Sequence, residues 1–366
     1  MTTRACFGLL LIAGIGCGSD GKGTMTGGGA GTSGGGTCAL RIGFISDTGG
    51  INDKGFNQAG WNGVLAAAGT LGLAASCYSY LTSSAETDYE PNLNKMVADG
   101  ANVIISSGFG MQKVTRKVGR ENPNLFFIGV DHAQVDEMGR PDPIANVAGL
   151  VFHEDAAGFL AGALAGLSTT SGTVAQVEGC PIPPVARFGL GFYNGVKQVK
   201  PTAKVLTAFH ELDFMTCFND PMWAKGKALE FEGMGADVLF AAAGGTGTGF
   251  LEQGCKDGKK VIGVDFDQYE SLPSVQPCIV SSATKSMLDG VASIIVSVKQ
   301  KTFRGGDVYG GVALAPFHGF DSMLSADVKA QLKDIERKIA AGDIDPCKDA
   351  TGVLPMGVMP FCVPIR

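Results

Sequence analysis

From Leu40 onward the chain alternates short, nearly continuous apolar runs with longer stretches whose apolar residues recur at helical spacing. The runs predict strands at 41–47 (RIGFISD), 102–107, 125–131, 146–152, 173–178, 204–210, 237–242, 261–265 and 279–283. Between them, Phe159, Leu160, Ala163, Leu164 and Leu167 trace one helical face, and Met287, Leu288, Val291, Ile294, Ile295 and Val298 trace another. Strands of unbroken Val, Ile and Phe separated by helices indicate parallel sheets, because crossover helices cover both faces and leave no polar side. The expected class is α/β, doubly wound. So many strands suit two ordinary sheets better than one very wide sheet. The expected lobes are residues 38–147 plus about 286–305, and residues 148–285 plus about 306–366.

In open α/β sheets, ligands sit beyond the carboxyl ends of the strands, so residues just after each strand carry the chemistry. Asp47 and the loop "DTGGINDKGFN" follow the first strand, and Asp131-His132 follow the third. "ELDFMTCFNDP", "AGGTGTG", Asp265-Phe266-Asp267 and Thr284-Lys285 follow later ones. Polar ends on the same side of two sheets make a cleft. Phe56 and Phe218 each sit among polar residues just past a strand, one per lobe, which suggests a sandwich around a flat ligand. Asp53 and Lys54 read as a loop-internal ion pair.

Signals for catalysis are weaker. "AGGTGTGF" lacks the GK[ST] that sets a lysine on a terminal phosphate, and its glycines are not spaced GxGxxG. The four histidines form no HExxH, and no GxSxG elbow occurs. Asp265 and Asp267 could do acid–base work, but carboxylates equally accept hydrogen bonds from sugar hydroxyls. Binding without chemistry, and without metal or cofactor, is the expectation.

The first residues change the picture of where this happens. "MTTRACFGLLLIAGIGC" has one Arg, an apolar run too short to span a bilayer, then small residues and Cys17. This is the layout of an export signal whose Cys17 would be lipidated as the mature first residue. Residues 18–37 are almost entirely Gly, Ser and Thr, a composition that cannot offset its ordering entropy and serves as a tether. Setting aside Cys6 and Cys17 leaves eight of the ten cysteines, an even number in an exported chain. Neighbour-in-sequence disulfides are expected, Cys38–Cys77, Cys180–Cys217, Cys255–Cys278 and Cys347–Cys362, with free buried thiols as the alternative. A net charge of −6, without clustered Lys and Arg, argues against nucleic acid as a partner.

With these residues assembled, the body resembles the basic membrane protein family of bacterial lipoproteins, including the purine-nucleoside receptor lipoproteins of ABC transporters. "ISDTGGINDKGFNQAGWNGV", "AAAGGTGTGF" with "KKVIGVDFDQY", and "SSATKSMLDGV" carry the resemblance, in order, over about residues 40–345. It implies a type I periplasmic binding protein fold, two Rossmann-like lobes joined by a hinge. It further implies that Phe56 and Phe218 stack on the two faces of a purine and that Asp47 and Asn57 hydrogen-bond the base. Asp131, Gly244, Asp265 and Lys285 would form the ribose-binding set. "DFMTCFNDPMW" offers Phe214 beside Phe218, and the inserted "EGCPIPPVARF" departs from the family pattern. The implied partners are a nucleoside, an ABC permease and the membrane through the lipid, with the protein acting as a monomer. A sugar or modified nucleoside as ligand, or a nucleoside-processing enzyme, are the alternatives.

Overall fold

The computed structural model describes residues 38–136, 138–348, 352–355, 358 and 362. Cys17, the signal segment and the tether lie outside the described residues. The first part of the body runs β1 (Ile42–Ser46), α1 (Phe56–Leu71), β2 (Tyr78–Thr82), α2 (Tyr89–Ala98), β3 (Val103–Ser107), α3 (Gln112–Glu121), β4 (Phe126–Val130) and β5 (Val147–Phe152). The second runs α4 (Glu154–Ser168), β6 (Thr173–Glu178), α5 (Pro183–Val199), β7 (Lys204–Phe209), α6 (Pro221–Gly233), β8 (Val238–Ala242), α7 (Gly244–Lys256), β9 (Lys260–Asp265), α8 (Gln268–Ser271) and β10 (Ile279–Lys285). It closes with α9 (Met287–Lys299), β11 (Gly306–Gly310), β12 (Val312–Leu314) and α10 (Ala326–Ala340).

Among the described residues the strands form two six-stranded sheets, β11-β5-β4-β3-β1-β2 and β12-β10-β9-β8-β6-β7. All neighbours are parallel except β12, which runs antiparallel to β10. Each sheet is buried on both faces, which is why its strands read as continuous apolar runs. Phe44, Ile105, Ile128 and Leu150 meet α1 and α9 on one face of the first sheet, and Ile45, Ile104 and Phe127 meet α2 and α3 on the other. In the second sheet Val174, Phe240 and Ile262 pack under α4, α5 and α10, and Ala175, Leu239 and Val261 under α6 and α7.

The chain passes between the sheets after β5, after β10 and between β11 and β12. Helix α9 returns to the first sheet, where Met287, Val291 and Ile295 are fully buried, as its apolar face predicts. The expected boundary after 147 is not where the first crossing lies. β5 pairs with β4, Phe127 opposite Val147 and Val130 opposite Leu150, so the crossing falls after Phe152. β11 likewise pairs with β5, so 306–310 belongs to the first sheet rather than the second. A buried strand shows the same apolar run whichever sheet it joins, and only pairing distinguishes them. The strands missed by pattern, β2, β11 and β12, are edge strands with exposed or half-buried positions and so lack a continuous apolar run.

Helices α4 and α5 approach unusually closely. A Cβ at Gly162 would collide with the Phe192 carbonyl, and one at Gly195 with the Phe159 carbonyl. Small residues on facing helices let the backbones touch, and this sets α5 at the height that brings Arg187 and Phe188 to the strand ends. Among the described residues four disulfides join Cys38–Cys77, Cys180–Cys217, Cys255–Cys278 and Cys347–Cys362, the neighbour pairing expected.

Candidate functional site

The carboxyl ends of the two sheets face one cavity of about 300 Å³, within the size range of small-molecule sites. On the first-lobe side it is lined by Asp47, Asp53, Phe56, Asn57 and Phe109, and on the second-lobe side by Phe188, Phe214, Phe218, Gly244 and Asp265. Asp131 and Lys285 complete the floor. All eight ligand residues expected from the sequence therefore line one space.

The first-lobe wall is built around a helix start. The Asp53 carboxylate accepts the backbone N–H groups of Gly55, Asn57 and Gln58 at 3.0, 2.8 and 3.1 Å. These are orphan donors at the start of α1, so Asp53 acts as its cap. The ion pair expected with Lys54 does not form, because the amides hold the carboxylate and Lys54 is exposed. The Asn57 amide donates to Asp47 Oδ1 at 2.7 Å and to Asp53 Oδ2 at 3.0 Å, fixing its side chain, and its own Oδ1 has no partner. Burial raises the Asp47 carboxyl to about 6, although the Asn57 and Gly49 hydrogen bonds pull the other way.

The second-lobe wall comes from the loop between β7 and α6 and from the start of α7. The Phe218 ring lies against Gly179, where any Cβ would collide with it, so a glycine is required for the ring to seat there. The Phe218 carbonyl accepts from Thr246 N–H at 3.1 Å, and Asp220 N–H donates to Thr246 Oγ1 at 2.7 Å. Phe214 lines the same cavity beside Phe218, so both phenylalanines of "DFMTCFNDP" contribute.

At the centre lies a buried charge cluster. Lys285 Nζ is 2.8 Å from Asp131 Oδ2, 3.3 Å from Asp265 Oδ1 and 3.7 Å from Glu154 Oε1. It also stands over the rings of Phe56, Phe152 and Phe188 at 4.8, 5.2 and 5.7 Å. Burial alone would lower the ammonium pKa, but the three carboxylates raise it well above the ordinary lysine value. Burial raises the carboxyls of Asp131, Glu154 and Asp265, and Lys285 opposes this in each. Arg187 Nε donates to Glu154 Oε2 at 2.7 Å, so this carboxylate is shared by two cations. Asp131 directly follows β4 and Asp265 is the last residue of β9, and both lie in the left-handed region, at φ 63° and 64°. Two equivalent turns thus aim one carboxylate from each lobe at the same ammonium. One oxygen of Asp131 is left without a partner.

Five residues had no role in the sequence reading: Asp53 as a cap, Phe109 and Phe188 in the lining, and Arg187 with Glu154, which also meets Lys285. Glu154 opens a helix directly after β5, a strand-end position that the misplaced boundary concealed. Phe188 and Arg187 lie in the inserted "EGCPIPPVARF", which had no pattern to be matched against. Phe109 follows β3, the strand whose end carries no charged residue.

Two mostly parallel sheets, three crossings and a cavity between the strand ends define the fold of the type I periplasmic binding proteins. Within it the chain belongs to the family described as ABC transporter substrate-binding protein PnrA-like, which matches residues 40–342. It is similar to the ABC transporter nucleoside-binding protein BmpA of Lactococcus lactis, 28% identical over 334 residues, 85% of this chain and 91% of that one. It is also similar to the CD4+ T-cell-stimulating antigen of Listeria monocytogenes, 28% identical over 324 residues, 83% and 87% of the two chains. Among solved structures, a solute-binding protein of an ABC transporter system from Aeropyrum pernix K1 superposes with a TM-score of 0.73 at 22% identity. That match covers 84% of this chain and 92% of the other, and it shows the fold. The family consists of transporter binding proteins rather than enzymes. No helix among the described residues is long and apolar enough to cross a membrane.

Proposed function

We propose that the protein binds a nucleoside, with a purine preferred, between its lobes and presents it to the permease of an ABC importer. The observation that carries this reading is one cavity with three kinds of wall. Phe56 and Phe218 offer flat faces from opposite lobes, Asp47 and Asn57 offer a hydrogen-bonding edge, and Asp131, Asp265 and Lys285 form a charged floor suited to vicinal hydroxyls. In this reading Gly244 lets backbone approach the sugar, and the nucleoside-binding name of the Lactococcus relative agrees with it. The charged lining residues are Asp47, Asp53, Asp131 and Asp265 against a single lysine, so a phosphate group would meet net negative charge. The ligand is accordingly a nucleoside and not a nucleotide.

Because the walls belong to different lobes, full contact exists only in the closed state, and the ligand selects that state by its differential affinity. The closed surface is what the permease would recognise. Lipid on Cys17 and the glycine-rich tether would hold a monomeric body beside the membrane.

Calorimetry with adenosine, guanosine, inosine and their free bases tests the reading. Binding of nucleosides with weaker binding of bases is expected; no heat up to millimolar ligand would sink it. Mass spectrometry of copurified ligand separates a nucleoside from a sugar, and a lipid adduct on a peptide beginning at Cys17 tests the anchor.

A further inference from the structure

The loop that carries Phe214 and Phe218 is tied mainly to itself: Thr216 and Cys217 N–H donate to the Asp213 carbonyl at 3.0 and 2.8 Å, and Asn219 N–H to the Thr216 carbonyl at 2.8 Å. Residues 211–220 contain no helix or strand, and Glu211, Leu212, Asp213, Met215, Thr216 and Asn219 are exposed. Cys217 is the exception, with 0% exposure. It is bonded to Cys180, also fully buried, two residues beyond the end of β6. These two cysteines, with Ile182 and Val185, form a small apolar cluster separate from the cores on the sheets. Phe109, Phe209, Phe214 and Phe218 pack against it. The cluster is therefore the backing of the aromatic wall, and the disulfide supplies half of its buried members.

We propose that the Cys180–Cys217 disulfide is a positioning element for ligand binding, which sets Phe214 and Phe218 before ligand arrives. This rests on the reading of the cavity as the ligand site. The hydrogen bonds of Thr246 reach only Phe218, Asp220 and, at 3.4 Å, the Thr216 carbonyl. Nearer the other end, the Phe214 carbonyl accepts from Thr48 Oγ1 of the first lobe at 3.2 Å, a bond that an open cleft would not make. The loop's internal bonds shape the turn at 213–219, and in the open state the disulfide is what ties the middle of that turn to the end of β6. Without it the aromatic wall would have to be ordered at each binding event, and that entropy would be subtracted from affinity.

The Cys255–Cys278 disulfide provides the control. It belongs to the same lobe but lies at the far end of α7, away from the cavity-lining Gly244. The full chain, the Cys180→Ala/Cys217→Ala variant and the Cys255→Ala/Cys278→Ala variant would be compared by two measurements. Amide hydrogen exchange without ligand should accelerate across 211–219 only in the first variant. Affinity for adenosine, guanosine or inosine should fall about tenfold or more in the first variant, as expected of lost preorganisation, and stay within about twofold in the second. Phe218→Ala should also weaken binding less in the first variant than in the intact chain, because an unheld ring contributes less. Unchanged exchange, equal affinity losses in both variants, or full additivity with Phe218→Ala would each overturn the proposal. Should the first variant fail to fold, stepwise reduction of the wild-type chain, with each bridge followed by mass spectrometry, decides the matter. Affinity must then fall in step with loss of Cys180–Cys217. If no nucleoside binds the intact chain, the proposed function fails, while ligand-free exchange still judges the positioning role.

Discussion

The two lobes present a phenylalanine to the cavity in the same place and hold it by different means. In the first lobe, Phe56 opens a capped helix, and the groups that organise its loop, Asp47, Asp53 and Asn57, also line the cavity. In the second, Phe218 sits in an irregular loop pinned by a buried disulfide that does not itself line the cavity. On the proposed function, holding and recognition are thus fused in one lobe and separate in the other. Substitutions in the first loop should move stability and affinity together. The second loop can lose its restraint with its recognising side chains left intact.

The largest expected effect breaks the comparison at the residue both lobes share. Lys285→Met leaves three carboxylates buried without their common cation, and removing one partner from such a cluster costs about 3–5 kcal/mol. Urea unfolding should report a loss of that order, together with loss of nucleoside binding. A variant of unchanged stability would mean that the carboxylates are already neutral.

Next comes the symmetry of the proposed stack. Phe56→Ala and Phe218→Ala should each weaken nucleoside binding by about 1–3 kcal/mol, the usual worth of a ring stacked on a base. A loss confined to one of them would assign the face to a single lobe. Phe214→Ala in parallel would show which ring of the second loop carries the contact.

Asp53→Ala sharpens the contrast between fused and separate roles. Loss of a helix cap costs roughly 1–2 kcal/mol of stability, and here affinity should fall as well, since Phe56 and Asn57 occupy the first turn. Calorimetry and thermal unfolding of the same preparation check both.

The effect that is smallest near neutral pH is the titration of Asp47. The Asp47 carboxyl is raised by burial from 3.8 to about 6, so the folded state binds the proton more tightly than the unfolded state. Its contribution to stability therefore falls as pH rises between those values and is constant above them. Ligand affinity should run the other way if the ionised carboxylate accepts from the base. It should fall as pH drops through about 6, approaching tenfold per unit, and Asp47→Asn should flatten the profile.

Much of the site was legible because strand ends and ligand sites coincide in this fold. A continuous apolar run followed by Asp47, Asp131, Asp265 or Lys285 already locates a polar group at the rim of a sheet. The same runs define both layers of each lobe, and the parity and spacing of the cysteines suggested the disulfides. These are local signals, written within a few residues of the position they describe.

What could not be read locally was pairing and convergence. The run 146–152 has the apolar pattern of a core strand in either lobe, and its hydrogen bonds to β4 alone assign it. Asp131 and Asp265 are far apart in the chain, and their meeting on one ammonium needs both sheets and their crossings in place. Phe188 reaches the cavity, and Arg187 reaches Glu154, only because glycines let α5 lie close against α4. Residue type and periodicity follow from burial, which each segment meets separately. Contacts between distant segments arise from packing, and packing is a property of the whole chain.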